Sequence, residues 1–553
     1  MNDEESVKTI LDRYVSLYFE NFVSASRGCS VQNIRTMIKV ADFSAELCRS
    51  DFAGIPKQPV ADTNAIVRGI GELLPKLIAH SGQEQVVEIG NGPEVFSTAR
   101  ATLRETGALL QFQRSANAEQ YGLTRCHVVA ADVIEIRQAV ADEEALEHAD
   151  RNALLDEEHA DRADVLHRID TLIKQTLQSR RTGGYAGSSQ ELAAYKDIGR
   201  QSLEFYVSEY VEAEAFADSS KIGPLTFAQW KSIAINVCAL GFAKALLEDL
   251  DLFERGQFTV EGFSLMPPTR ISAEELRECF HVPEVSGCPD LFDQISSCLI
   301  LSEANIDADF GQDGAQPILV RVRDEVLLPR YTRLGNPYIF LATRLAQVYQ
   351  HELRRIVSER EKKFQDDLTQ RLSPQYYLFG RPNVPLYRAN RTLLTDIDSV
   401  VYEKETNSLY LIQLKWFAIY EDFDERENQY EKLREKGNEW IEKVQGWVDR
   451  THPVNVLKHV GLESVSINPE TLQIRLIMLN RGWTRFSGKE MFGTKAAWVS
   501  WSRFSWMLRG AQLRESQLDE AWRRAMQIQV PPHNPAGSRH EHRFPKLTVI
   551  LYD

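Results

Sequence analysis

Two short stretches in the C-terminal third carry the residues best suited to chemistry. Leu393 to Glu403 (LLTDIDSVVYE) and Ser408 to Trp416 (SLYLIQLKW) are rich in β-branched, aromatic and leucine residues, and each predicts a strand. Lys404 to Asn407 between them has the composition of a hairpin turn. Alternation at period two puts Asp396 and Asp398 on one face of the first strand, and Gln413 and Lys415 on one face of the second. Paired as a hairpin, the strands bring together two carboxylates, an amide oxygen and an ammonium. Hard oxygen donors suit Mg²⁺ or Mn²⁺, which stabilises charge developing on a phosphate and acidifies the attacking water. An adjacent lysine contacts that phosphate or orients the water, with a pKa that responds to neighbouring acids. The chemistry expected of this set is metal-assisted phosphodiester hydrolysis.

A helix precedes these strands. Leu353, Val357, Phe364, Leu368 and Leu372 form an apolar stripe at three- and four-residue steps, and Glu361 falls on it, whereas Glu359 lies off it. A carboxylate aimed at a core needs a partner such as a metal or a lysine, which makes Glu361 the candidate third acid. After Lys415, Phe423 to Arg450 predicts a charged helix and Thr471 to Leu479 a buried strand.

Asp398, followed by Gln413-Leu-Lys415, resembles the core motif of the PD-(D/E)xK nuclease superfamily, the restriction-endonuclease-like fold. Helix, three-strand meander, helix and strand is the order of that core, so the resemblance spans roughly residues 348 to 480. It implies Asp398 as principal metal ligand, Gln413 as second ligand, Lys415 as catalytic lysine and Glu361 as the additional acid. Asp396 becomes a helper or a neighbour. Most of the family has Asp or Glu where this chain has Gln413; the Mrr-like branch, similar to methylation-dependent restriction enzymes, has Gln. The resemblance further implies Mg²⁺ or Mn²⁺ as cofactor, nucleic acid as partner with DNA ahead of RNA, and by analogy a role in bacterial restriction or anti-phage defence.

Downstream, Asn480 to Lys489 (NRGWTRFSGK) interleaves Arg481, Arg485 and Lys489 with Trp483 and Phe486, a mixture suited to backbone contact and base stacking. Trp498, Trp501, Phe504 and Leu508 read as core. A rival signal lies in Val86 to Glu94 (VVEIGNGPE), which resembles the strand-to-glycine-loop of S-adenosylmethionine-dependent methyltransferases, although Pro93 and Glu94 break the pattern and the next β-like run, Leu109 to Phe112, lacks a ribose-binding acid.

The expected fold class is an α/β restriction-endonuclease-like C-terminal domain, a mixed sheet flanked by helices, behind a larger and mostly helical N-terminal region. The expected units are 1–140, mixed α+β; 141–330, mainly helical and serving regulation or partner docking; and 331–553, the nuclease-like domain. Helices are expected over the first 80 residues, over 142–175 with its Glu-His-Ala-Asp-Arg repeat (147–151 and 158–162), and over 227–250. A linker is expected at 179–190, irregular chain at 255–315 and strand at 315–328.

Charge divides the chain in the same way. Of 64 basic and 79 acidic residues, positions 331–553 hold 33 and 27, a net of +6, leaving −21 for the first 330. A polyanion is drawn to the C-terminal part, and the acidic part is expected to dock a protein partner or a second copy of the chain. The seven cysteines form no C-x-x-C pair, and the spacing of Cys279, His281, Cys288 and Cys298 matches no closed zinc site. No apolar run reaches the ~18–20 residues of a bilayer helix, and the acidic opening carries no secretory pattern, so a cytoplasmic protein is expected. The contending expectation is a catalytically inactive nuclease-fold scaffold that binds nucleic acid or a partner.

Overall fold

The computed structural model describes residues 6–25, 30–49, 60–81, 93–130, 132–140, 167, 171, 175, 178, 189–208, 216–255, 268–280, 289–306, 317–330, 337–388, 390–417, 423–463, 467–489, 495–510, 517–527, 539–544 and 546–552. Over these residues the chain is mixed α/β, with several small sheets among more numerous helices. The 147–162 repeat and the glycine loop at 86–92 lie outside the described residues, as does nearly all of the expected linker.

The helices expected over the first 80 residues are α1 (Val7–Ala25), α2 (Ser30–Arg49) and α3 (Val60–Ser81), and they are followed by α4 (Pro93–Asn117). Their buried residues recur at helical spacing: Leu11 and Val15 in α1, Ile34, Met37, Ile38 and Ala41 in α2. The Leu109 to Phe112 run is not a strand. It lies inside α4, where Leu109, Phe112 and Ala116 are buried at steps of three and four. Two strands, β1 (Thr124–Ala130) and β2 (Val133–Gln138), then pair antiparallel. Helix α5 (Ser189–Ser208) packs on α6 (Phe227–Glu254), reached through the tight hairpin β3 (Lys221–Ile222) and β4 (Leu225–Thr226). Helix α6 is apolar nearly all round, which suits a helix surrounded by protein. Over Phe227–Glu248 it is long and apolar enough to cross a membrane, and 72% of its most apolar window is buried inside the fold.

The stretch read as irregular contains two helices, α7 (Ala273–Phe280) and α8 (Pro289–Leu299), ahead of the small sheet β5 (Ile300–Leu301), β6 (Leu319–Val322) and β7 (Glu325–Leu327). Each of these helices buries a narrow stripe, Leu276, Cys279 and Phe280 in the first and Ile295, Cys298 and Leu299 in the second, too short for periodicity to declare. Helices α9 (Pro337–Val348) and α10 (Gln350–Arg371) follow.

One hydrophobic core joins α1, α2, α3, α4, α6, α7, α8, α9 and the first part of α10, from Val15 to Ile356. The expected boundary at 140 therefore does not separate two cores, and 337–356 belongs with the N-terminal region.

The C-terminal strands are β8 (Tyr377–Phe379), β9 (Val384–Tyr387), β10 (Leu393–Ile397), β11 (Ser399–Glu403) and β12 (Ser408–Lys415). They are followed by α11 (Phe423–Val448), α12 (Pro453–His459), β13 (Gln473–Asn480), β14 (Ala497–Ser500), α13 (Trp501–Gly510) and α14 (Gln517–Met526). The main sheet has the order β14-β13-β12-β11-β8. Strands β8, β11 and β12 run as an antiparallel meander, and β12, β13 and β14 are parallel. Burial from Ser408 through Leu414 is unbroken, as in a strand covered on both faces. Leu409 and Leu411 face Leu433, Ile441 and Val444 of α11, while Tyr410, Ile412 and Leu414 belong to the layer holding Phe364 and Leu368 of α10 and Phe504 of α13. Trp498, Trp501, Phe504 and Leu508 are all buried.

The last two strands, β15 (Arg539–Phe544) and β16 (Leu547–Tyr552), leave this unit. They complete a sheet of order β1-β2-β16-β15, with β16 parallel to β2. Leu547 and Val549 there pack with Ile134, Ile136, Leu11 and Phe112, so 331–553 is not one structural unit at either end.

Candidate active site

The strand expected over 393–403 is two strands in two sheets, and the break is at Asp398. Strand β10 pairs with β9 through Ile397 and Val384, whereas β11 starts its pairing to β12 at Ser399 and Ile412. Continued, that register would set the Leu414 N–H against Ile397. With Ile397 withdrawn, Leu414 N donates to Asp398 Oδ2 at 2.6 Å, and Gln413 Nε2 donates to the same oxygen at 2.6 Å. The Asp398 carbonyl accepts from Gln365 Nε2 of α10 at 2.8 Å and from Asn383 N at 3.1 Å. A side chain and a loop amide thus replace the ladder at this residue, which satisfies its buried carbonyl as the chain changes sheets.

Asp398 is 2% exposed and Gln413 4% exposed. Burial lifts the Asp398 carboxyl to about 7; the Lys415 ammonium and the Leu414 N–H oppose that rise, and the Glu361 and Asp396 carboxylates add to it. These four neighbours stand within electrostatic reach of one buried acid. Lys415 is half-buried at the end of β12, with its carbonyl accepting from Arg481 N at 2.7 Å. Asp396, expected to share a face with Asp398 on one strand, is exposed on β10, opposite Pro385.

Gln413 Oε1 is buried and has no hydrogen-bond partner. A buried amide oxygen left unpaired costs on the order of 1–3 kcal/mol, so it calls for a donor or a cation. Beside Lys415 in the parallel register lies Asn480, whose Oδ1 is a second buried oxygen without a partner. Sequence reasoning passed over Asn480, because that stretch was read for its cations; its place as the last residue of a buried strand was the available signal. Gln365 was also missed, being one polar residue among many on a charged helix.

Glu361 is exposed rather than buried in the apolar stripe. At 100° per residue, however, it shares a face of α10 with Phe364, Gln365 and Leu368. Phe364 and Leu368 are buried against the sheet, and Gln365, one turn on from Glu361, holds the Asp398 carbonyl. Glu361 therefore lies on the side of the helix that meets the strand switch, beyond the packed part of the stripe. Glu359 points elsewhere and accepts from Ser220 Oγ at 2.7 Å.

Among the described residues, no three His, Cys, Asp or Glu side chains form a metal-sized cluster. The donors that fit a divalent cation are one carboxylate and one orphaned amide oxygen, with Glu361 within electrostatic reach of the carboxylate. That is a hard, all-oxygen set of the kind that holds Mg²⁺ through one or two carboxylates plus water and substrate phosphate.

The basic stretch is not a free surface. Arg481 and Arg485 are buried. Arg481 Nη1 pairs with Asp367 Oδ2 at 2.5 Å, and its guanidinium lies 4.7 Å from the Trp416 ring centre and 5.1 Å from that of Phe364. Lys489 pairs with Glu427 at 2.5 Å. The rings that cover these cations within the fold are Trp416 and Phe364 over Arg481 and Tyr430 over Lys489, not Trp483 and Phe486, the aromatics interleaved with them in the sequence; Phe486 is buried against Tyr430. Cys279 and Cys298 are buried free thiols, and the Cys279 thiol donates to the Asn236 carbonyl at 3.7 Å; His281 and Cys288 lie outside the described residues.

No family model matches the chain, and no curated protein or solved structure matches it significantly either.

Proposed function

We propose that this protein is a metal-dependent nuclease of PD-(D/E)xK type that hydrolyses phosphodiester bonds in nucleic acid, with DNA as the expected substrate. The observation that carries the reading is Gln413 Oε1, a buried oxygen without a partner beside the Asp398 carboxylate, with Lys415 two residues further along the same strand. The element order supports it: helix α10, the β8-β11-β12 meander, helix α11 and the parallel strand β13 follow in the order that the resemblance implies.

Asp398 and Gln413 would hold Mg²⁺ or Mn²⁺, assisted by Glu361. When bound, such a cation supplies charge stabilisation at the phosphate and acidifies water. Lys415 is placed to contact the phosphate or to orient the attacking water. A carboxyl with a pKa near 7 exchanges its proton for a cation at neutral pH. A role in bacterial restriction or anti-phage defence, in the cytoplasm, belongs to this proposal, with the acidic N-terminal region as the module that docks a protein partner or a second copy.

The second reading is an inactive scaffold on the same fold that binds nucleic acid or a partner. It is favoured by the neutral Gln413 in a position where most of the family has an acid. Incubation of the full chain with plasmid DNA and Mn²⁺ separates the two. Cleavage by wild type that is lost in Asp398→Ala and Lys415→Ala supports the nuclease; no cleavage, with and without candidate partners, supports the scaffold. Cleavage surviving both substitutions overturns the site. The methyltransferase alternative is tested by calorimetry with S-adenosylmethionine, and heat of binding would favour it.

A further inference from the structure

Helix α10 belongs to two cores at once. Tyr349, just before it, and Ile356 lie in the N-terminal core, whereas Phe364, Leu368 and Leu372 lie in the layer under the main sheet. Glu361 sits between the two sets, in the middle of a single unbroken helix.

The two attachments use opposite faces. Taking Glu352 as the origin of the helical wheel, Ile356 and Glu359 fall within about 40° of it, while Glu361, Phe364, Gln365 and Leu368 cluster around the opposite side. The first face is gripped by the β3–β4 hairpin. Gly223 N donates to Glu352 Oε2 at 2.6 Å, and buried Ser220 donates through Oγ to Glu359 Oε2 at 2.7 Å. Two turns of helix are thus tied to one hairpin by charge-assisted hydrogen bonds. The Arg360 guanidinium adds a third tie, lying 5.2 Å from the centre of the Phe216 ring. Gly223 has a φ of +58°, and a Cβ there would overlap the Tyr349 ring, so the hairpin sits against the start of the helix with no room to spare.

We infer that the Ser220–Gly223 hairpin is a positioning clamp: it fixes the rotation and height of α10, and through that helix sets where Glu361 stands relative to Asp398. This rests on the reading of Asp398, Gln413 and Glu361 as a cation site. The N-terminal region then acts on that site through one rigid helix, without contributing a ligand of its own. Ser220 and Glu359 are positioning residues, and a partner that shifted the hairpin would shift Glu361 with it.

Titration calorimetry of the full chain with Mn²⁺ tests this, with urea unfolding beside it as the measure of fold. Ser220→Ala and Glu359→Ala are expected to weaken Mn²⁺ binding about ten-fold, the lower end of what loss of an outer-shell contact costs a metal site. Glu359→Gln, which keeps an acceptor for Ser220, should restore binding, and the urea midpoints of the Glu359 variants should stay close to wild type because Glu359 is exposed. In a Glu361→Gln background Ser220→Ala should have no further effect. Gly223→Ala, which forces the hairpin off Tyr349, gives a second way to move the helix and should weaken binding in the same Glu361-dependent manner. Unchanged Mn²⁺ affinity in these variants, or an equal loss with and without Glu361, overturns the clamp while the cation site stands. Equal Mn²⁺ binding by Asp398→Asn and wild type overturns the site itself, and the clamp with it.

Discussion

Asp398 is a buried acid held near its own titration point, and that has a measurable sign. The native carboxyl is at about 7 and the unfolded one near 3.8, so between these values the native state holds the extra proton. With EDTA present, its contribution to stability is complete below about pH 4 and is lost as pH rises through 7. Asp398→Asn removes that dependence. In urea unfolding, the variant's stability relative to wild type should therefore grow from pH 4 to about pH 7 and level off above it; a constant difference would show the carboxyl is not shifted. Mn²⁺ affinity of wild type should rise over the same range, because the cation displaces that proton, and then level off. For Lys415→Ala, half-buried and at the strand end, the expected result is a loss of cleavage of about 100-fold or more with DNA binding reduced only slightly, read by plasmid nicking and fluorescence anisotropy. Gln413 and Lys415 were legible because one strand with period two fixes them relative to each other, and Asp398 because the hairpin that pairs Ser399 with Ile412 brings it beside them. The unpaired Gln413 oxygen was not, since pairing is a property of what surrounds it.

At the scale of elements, helices and strands were read well where composition favours one state over the whole segment: α6, α11, β12 and β13 fall within a few residues of expectation. The break at Asp398 was hidden, since both halves of LLTDIDSVVYE have strand composition and only the competing donors from Leu414, Gln365 and Asn383 split them. Packing also reverses one rule of propensity. Gly437 lies inside α11, where alanine would ordinarily gain about 1 kcal/mol. A Cβ there would overlap the Trp498 ring from the neighbouring strand β14, with the Met478 methyl at 3.3 Å behind it. Gly437→Ala should therefore destabilise by about 1–3 kcal/mol, as overpacked cores do, measured by urea unfolding. A gain in stability would show that the ring can move aside.

Across the whole molecule, the expected division at 331 follows charge, and the cores follow other lines. Helix α9 and the start of α10 complete the N-terminal core, and the final two strands return to the N-terminal sheet. Removing residues 531–553 leaves β1 and β2 as an isolated hairpin, which is marginal in water. Amide hydrogen exchange should then show lost protection in β1, β2 and the facing ends of α1 and α4, with β12 and β13 unchanged. Equal protection in all of these would mean that the last strands add nothing to the N-terminal sheet.

What the sequence settled by itself was local: which segments coil or extend, which side chains alternate to one face, and which residues have the chemistry to bind a cation. Those properties are carried by neighbours within a turn or a strand. The tertiary structure decided the rest. It buried Arg481 and Arg485, split a strand at Asp398, and ran one helix through two cores with Glu361 in between. Each of these depends on residues far apart in the chain competing for the same hydrogen bond or the same volume, and no window of sequence contains both competitors.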